Sequence, residues 1–275
     1  MKNVFRFEWN RMIHSKTLAL SLIVSAVLIM LDVKFWFDLY KQGIDAHTSI
    51  FYKWLGVDKG MSMGNIFLLI LPLLTAFAYS HTISSDRKSG YIMQIVSRGD
   101  RFKYFASKYF VSILSGGMVF VFALVLDYML LGLFSYAYLP SPADMASGMT
   151  PFHFCSELFY SNTYLFVILW LMVAFLWGCA MASIGVCIGM YIKNYIISSI
   201  APFLVFMAQS IVAGYIMQKY MITVSENMVT LDWSNMLCAS PSTTLIGSHL
   251  FFNIGAIFIV TLIAYSLRAR KYECL

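Results

Sequence analysis

Six long apolar runs separated by short polar stretches dominate the chain. They fall near Thr17 to Phe37, Asn65 to Ile83, Tyr109 to Tyr136, Tyr164 to Ile192, Tyr195 to Met217 and Leu250 to Leu267. A membrane-crossing helix needs about 20 largely apolar residues, so each run is a candidate span. Only Lys193 and Asn194 divide the fourth from the fifth. At 1.5 Å per residue a single helix through both would overrun one bilayer, so the pair is read as a hairpin. The pattern predicts an all-α membrane protein with six transmembrane helices.

Two polar stretches carry helical patterns of their own. In residues 1–16, Phe5, Trp9, Met12 and Ile13 share one arc of a helical wheel, with Lys2, Arg6, Asn10 and His14 elsewhere and Phe7 breaking the pattern. That suits an amphipathic helix in the membrane interface; an irregular basic tail is the alternative. In the loop 84–108, Tyr91, Ile92, Ile95 and Val96 form an apolar cluster between Gly90 and Gly99, with basic residues on both sides. This spacing predicts a short amphipathic helix whose apolar face needs a partner surface or the membrane interface.

Composition agrees. Of 275 residues, 60% are hydrophobic and only 12% charged, against roughly a quarter charged in soluble domains; mean hydropathy is +0.75. A single transmembrane domain, 1–275, accounts for the chain, because no polar stretch approaches the ~100 residues of a soluble domain with its own core. There is also no G-x-x-x-x-G-K-[ST] phosphate loop, so these residues contain no nucleotide-hydrolysing motor.

The net charge of +6 acquires meaning once the spans are placed. With both termini cytoplasmic, the inner stretches hold Lys2, Arg6, Arg11, Lys16, Arg87, Lys88, Arg98, Arg101, Lys103, Lys108, Lys193, Arg268, Arg270 and Lys271, fourteen bases in all, against five outside. That asymmetry follows the positive-inside rule, so the basic balance reports topology and implies no nucleic-acid partner. The first run is long, starts near residue 17 and is followed by no small-x-small site, so it is read as a retained span.

Candidate chemistry within the spans is sparse. Gly178, Ala182, Gly185 and Gly189 form a stripe of small residues in the fourth run, suited to close helix packing within the chain or between subunits. Asp127 stands about 27 Å along the third helix at 1.5 Å per residue, toward its outer end, where it serves either gating or a locally satisfied structural role. Pro72 and Pro202 interrupt runs two and five and predict kinks, which serve either gating of a pathway or no function beyond helix shape. Gly60-Met-Ser62-Met-Gly64 matches G-x-S-x-G but lacks the preceding strand that a nucleophile elbow requires. The five histidines are scattered without ligand spacing, so no metal site is expected. Free thiols are the default for the five cysteines, with a Cys155–Cys238 bridge as the alternative.

The loop 84–108 resembles the cytoplasmic coupling loop of type-two ATP-binding-cassette (ABC) exporter permeases. The likeness rests on Asp86, Gly90 four positions later, the apolar Ile92 to Val96, Arg98 and Lys108 opening the next span; Gly99 and Asp100 stand where the family often has Pro-Ile or Pro-Val. An amino-terminal amphipathic helix, six spans, a short turn between spans four and five and an outer segment at 218–249 extend the likeness over nearly the whole chain. Within that segment, residues 235–245 resemble the small re-entrant or interfacial helices of such permeases, with an ordinary external loop as the alternative.

The resemblance implies the transmembrane subunit of a bacterial cytoplasmic-membrane exporter, without catalysis or a cofactor of its own. Its partners would be separate ABC ATPase subunits carrying ATP and Mg, a second permease subunit, the lipid bilayer, and a hydrophobic or amphipathic substrate such as a peptide, a drug or a lipid-like compound. Coupling to the ATPase falls on Asp86, Arg87, Gly90, Tyr91, Ile92, Ile95, Arg98 and Arg101. The competing readings are an ion-gradient-driven secondary transporter and a non-transporting membrane sensor or structural subunit.

Overall fold

In the computed structural model the described residues are 2–43, 49–58, 63–98, 101–141, 149, 153–219, 232–239 and 245–270. Among them lie eleven α-helices and no strand. The helices are α1 (Lys2–Ile13), α2 (Lys16–Lys41), α3 (Ile50–Lys53), α4 (Met63–Tyr79), α5 (Thr82–Lys88), α6 (Tyr91–Arg98), α7 (Arg101–Leu131), α8 (Ser156–Ser161), α9 (Thr163–Tyr191), α10 (Tyr195–Lys219) and α11 (Gly247–Arg270).

Five helices are long and apolar enough to cross a membrane: α2, α7, α9, α11 and the Tyr195–Ile216 part of α10. The second apolar run is broken beyond the proline that its sequence marks for a kink. It is two helices, α4 and α5, bent by 42° at a short break, and it makes a sixth crossing only if the pair counts as one. The break falls at Ser80 and His81, well beyond Pro72, and side chains stabilise it. The Ser80 hydroxyl donates to the Ala182 carbonyl of α9 at 3.0 Å, and Thr82 Oγ1 donates to the Tyr79 carbonyl at 2.7 Å. Both prolines sit inside helices that continue through them.

The hairpin between α9 and α10 forms where Lys193 and Asn194 interrupt the apolar run. Ile192 is extended, and Asn194 Oδ1 caps α10 by accepting from the Ile196 amide at 3.0 Å. A side-chain oxygen at this position satisfies one of the amides that a helix start leaves without a partner.

Helix α9 is the hub, packed against α4, α7, α10 and α11. Its small residues make this possible, and the stripe is occupied on several sides within the chain. A Cβ at Gly178 would stand 2.6 Å from the Gly116 carbonyl oxygen of α7. At Gly185 an added Cβ would meet Ala76, Ser80 and Pro202, and at Gly189 it would meet Ile83, Ser84 and Ser198. Ala182 lies against Gly116 of α7. Glycine serves here for its missing side chain, which lets backbones approach to van der Waals contact.

The end of the bundle bearing α1 is called proximal and the opposite end distal. Distally the connecting segments form a packed cap. Ile50 N–H donates to Tyr136 O (2.9 Å), Phe154 N–H to Leu245 O (2.7 Å) and Ala239 N–H to Gly56 O (2.8 Å). Residues 235–245 begin in a short 3-10 turn, Trp233–Met236, followed by buried Leu237, Cys238 and Ala239. Asp232 anchors that turn by accepting from Ser210 of α10 and from Ser234. Cys155, Cys179, Cys187 and Cys238 are free thiols, so the Cys155–Cys238 bridge is not formed. Ser62, Gly99, Asp100, His47, Cys274 and most of 218–249 lie outside the described residues.

The close α7–α9 contact yields a test. Gly178→Leu should force the two helices apart and lower the unfolding free energy by about 1–3 kcal/mol, as overpacking does, whereas Gly255→Leu, where an added Cβ meets nothing within 4 Å, should leave it nearly unchanged. Thermal melts in detergent of the two variants beside the parent measure the difference.

Candidate functional site

At the proximal end, four charged side chains from three helices converge. Lys108 of α7, with no exposed surface, donates from Nζ to Glu8 Oε2 of α1 at 3.0 Å and to Asp86 Oδ2 of α5 at 2.8 Å. Arg11, one helical turn beyond Glu8, grips Asp86 with both ends of its guanidinium: Nη1 to Oδ2 at 2.9 Å and Nη2 to Oδ1 at 2.7 Å. Two phenols complete the set. Tyr104 donates to Asp86 Oδ2 at 3.0 Å and Tyr79 to Glu8 Oε2 at 2.7 Å.

Local helix register explains the convergence. Tyr104 and Lys108 are four residues apart on α7, and Glu8 and Arg11 three apart on α1, so each pair shares one face. The two acids and two bases balance, which a buried cluster requires because an uncompensated ion away from water is costly. Burial by itself would lower the Arg11 pKa, but the hydrogen bonds and charge of Asp86 reverse this and raise it. The guanidinium also lies 5.2 Å from the centre of the Tyr91 ring, a cation–π distance, so α6 joins the cluster.

This geometry alters the reading of several sequence-derived residues. Asp86 belongs to the cluster. Arg87 instead caps α9, donating from Nη1 to the Gly189 and Met190 carbonyls at 3.3 and 2.7 Å; a cation suits the helix end where carbonyls lack partners. Gly90 has φ of +73° and makes the left-handed turn from α5 into α6. Ile92 is fully buried among Ile83, Tyr104, Phe105, Tyr109, Val186, Met190 and Tyr265, with Ile95 and Val4 packed alongside. Of the apolar face of α6, Ile92 is thus covered by this chain, Tyr91 and Ile95 are half-buried, and the Val96 side chain lies outside the described part. The outward side of α6 presents Met93 and Gln94. Arg101 opens α7 on the surface, and the Arg98 side chain lies outside the described part.

Helix α1 turns inward a residue that its apolar arc does not include. The residues turned into the bundle are Glu8 and Met12, both fully buried, while Phe5, Phe7 and Ile13 are exposed. The wheel reading followed apolar residues, and an acid took the inner position because Lys108 awaits it there. Neither Glu8 nor Arg11 was singled out from sequence, although Glu8 is the sole acid before Asp32.

A second polar set lies at the distal end, roughly 28 Å from Lys108 along α7 at 1.5 Å per residue. Asp127 is fully buried, and its Oδ2 accepts from the Leu55 amide at 2.8 Å. Its partner is thus a backbone N–H. Asp32 of α2 is also buried and accepts from the Gly64 amide at the start of α4 at 2.7 Å. Between these acids the indole of Trp54 donates to the Leu124 carbonyl at 2.9 Å. The apolar string Ile50-Phe-Tyr-Lys-Trp-Leu55 signals this plug, which a search for long runs passes over because it is too short to span.

Comparison with family models, with curated proteins and with solved structures gives no match. The site is therefore interpreted from its own chemistry. Among the described residues no three His, Cys, Asp or Glu side chains are grouped to hold a metal. The proximal cluster is a four-charge joint between α1, α5 and α7, and the distal set ties loop backbone to helix side chains.

Two outcomes check these assignments. Lys108→Met should cost about 3–5 kcal/mol of stability by stranding two buried carboxylates, and adding Glu8→Gln should recover part of that loss; denaturant titrations of the single and double variants read the coupling. At the distal end Asp127→Asn keeps an acceptor for the Leu55 amide and should be nearly neutral. Asp127→Leu orphans that amide and should cost about 1–3 kcal/mol in the same assay.

Proposed function

We propose that the chain is the permease subunit of an ATP-driven exporter in the bacterial cytoplasmic membrane. In this reading the proximal end faces the cytoplasm, both termini lie there, and α2, the bent α4–α5 pair, α7, α9, α10 and α11 make six crossings. Two such subunits form the pathway for a hydrophobic or amphipathic substrate, and two separate ATPase subunits, which carry ATP and Mg, dock beneath. Support comes from the basic residues gathered at the proximal end, from the absence of a phosphate loop, and from the likeness of the segment from Asp86 to Lys108 to a coupling loop.

The observation that carries the reading is the Glu8–Lys108–Asp86–Arg11 cluster. A push on α6 reaches α5 through the two-residue turn Ser89-Gly90 and reaches α1 through Tyr91 and Arg11. Because Asp86 is bonded to Lys108, the same displacement must move α7 or break buried ion pairs. Such a joint passes on motion instead of absorbing it, as a two-state bundle driven from outside requires. The exposed outer side of α6, with Met93 at its centre, is the docking surface in this scheme, and Phe5 and Ile13 of α1 rest in the membrane interface.

The experiment is affinity purification of the chain from its native membrane followed by an ATPase assay and transport in proteoliposomes. Co-purification of a phosphate-loop ATPase and ATP-dependent export are the expected results; transport driven by an ion gradient without any ATPase would refute the proposal. Met93→Glu should reduce transport-coupled ATP turnover roughly tenfold, the effect of losing about 1.4 kcal/mol of docking energy, with an unchanged melting temperature. Ile92→Asp is the contrasting variant: it buries a charge in the chain's own core and should lower the melting temperature itself.

A further inference from the structure

Asp86 and Arg87 are neighbours in the sequence, yet they bind different helices. At about 100° per residue their side chains leave α5 in different directions: Asp86 meets Arg11 of α1 and Lys108 of α7, while Arg87 reaches the end of α9. On that second side a row of donors runs along the bent α4–α5 pair. Ser80 Oγ donates to the Ala182 carbonyl at 3.0 Å, Ser84 Oγ to the Gly189 carbonyl at 3.3 Å, and Arg87 Nη1 to the Gly189 and Met190 carbonyls at 3.3 and 2.7 Å. Ser84 and Arg87 stand three apart, so they share one face of α5.

The same stretch of α9 is held by α10 as well. Ser198, at the start of α10, donates to the Gly185 carbonyl at 2.9 Å and, like Ser80 and Ser84, has no exposed surface. Gly189 makes the convergence possible, because a Cβ there would stand 2.9 Å from both Ser84 Oγ and Ser198 Oγ. The Gly189 and Met190 carbonyls belong to the last turn of α9, where a helix has no amide of its own to offer them, so Arg87 supplies the donor. Helix α5, the end of α9 and the start of α10 are thereby bonded together, and the 42° break at Ser80 and His81 sets off α5 from α4. Apolar contact around Ile92 also includes this end of α9 through Val186 and Met190. Such packing is non-directional, whereas donors aimed at particular carbonyls fix the register of α5 against α9.

We infer that Arg87 is a positioning residue: it makes the α9–α10 turn follow α5, so that a shift of α6 is delivered to α10 as well as to α1 and α7. The inference rests on the exporter reading for the source of that shift. Among the described residues the charge cluster ties α1, α5 and α7 and takes no side chain from α10, so movement reaches α10 by a separate route. Two adjacent residues of one short helix thus divide a single input between two outputs.

Hydrogen exchange with mass spectrometry on the full chain in micelles reads the two anchors separately. Arg87→Met should speed exchange of the 191–197 amides by on the order of tenfold, the factor that hydrogen bonds from a charged group supply, and leave residues 2–13 as in the parent. Arg11→Met should do the reverse. One nitrogen of Arg87 serves both carbonyls, so Arg87→Lys should restore most of the protection. Ser84→Ala removes a single hydroxyl donor and should give roughly a threefold change at 191–197, which keeps the test open if Arg87→Met does not fold. A plain cap would leave unmoved the number of substrate molecules exported per ATP by the co-purified complex in proteoliposomes. That ratio should fall at least about fivefold in Arg87→Met, the low end of a coupling between sites, and recover in Arg87→Lys. Unchanged exchange at 191–197, an equal release of residues 2–13, or a parental export ratio in Arg87→Met would each overturn the assignment. If no ATPase co-purifies, the exporter reading falls, and the exchange pattern by itself decides whether Arg87 holds the turn to α5.

Discussion

The fold depends on where four charges go once water is excluded. Glu8 and Lys108 have no exposed surface and Asp86 almost none, and each lone ion in such surroundings would cost several kcal/mol. Mutual pairing is the arrangement that removes this penalty, and it sets α1 against α5 and α7. The amino-terminal helix is thus tied to the bundle by an acid and by Met12, and Phe5 and Ile13 of its apolar arc are left outside. The cluster also explains the depth of α7: Tyr104 and Lys108 precede the apolar run, yet they are helical and buried because Asp86 needs their donors.

A related constraint acts at the distal end on backbone instead of side chains. The segment from Ser49 to Asp58 is mostly irregular and mostly buried, so its amides and carbonyls must find partners inside the protein. Asp127 accepts from the Leu55 amide of this segment and Leu124 O from its Trp54 indole, while Asp32 accepts from the Gly64 amide at the start of α4. The two membrane-segment acids of α2 and α7 are in this sense cap residues for neighbouring chain. Between the two ends the packing is governed by size, with Gly116, Gly117 and Gly178 letting α7 and α9 meet backbone to backbone.

The proximal joint is internal and linked by hydrogen bonds across α1, α5 and α7, which suits transmission of force between helices. The apolar cluster around Ile92 packs α6 beside it against α7, α9 and α11.

Much of the architecture was legible from sequence. Apolar runs longer than 18 residues have one stable use, so the five long helices and the α9–α10 turn at Lys193-Asn194 followed from hydropathy. The small-residue stripe announced close packing through its spacing. Tertiary structure alone decided which residues those elements bring together. Hydropathy averages over a window and could not place a bend at Ser80-His81, because side-chain hydrogen bonds to a distant helix hold it there. Periodicity identified an amphipathic α6 but could not tell that Ile92 faces the chain's own core. Glu8, Arg11 and Lys108 looked like ordinary members of a basic cytoplasmic surface because a charge's partner, 75 to 100 residues away in the chain, leaves no local trace. The sequence determined what had to leave water; the three-dimensional arrangement decided which charges could follow, since only mutual contact makes their burial affordable.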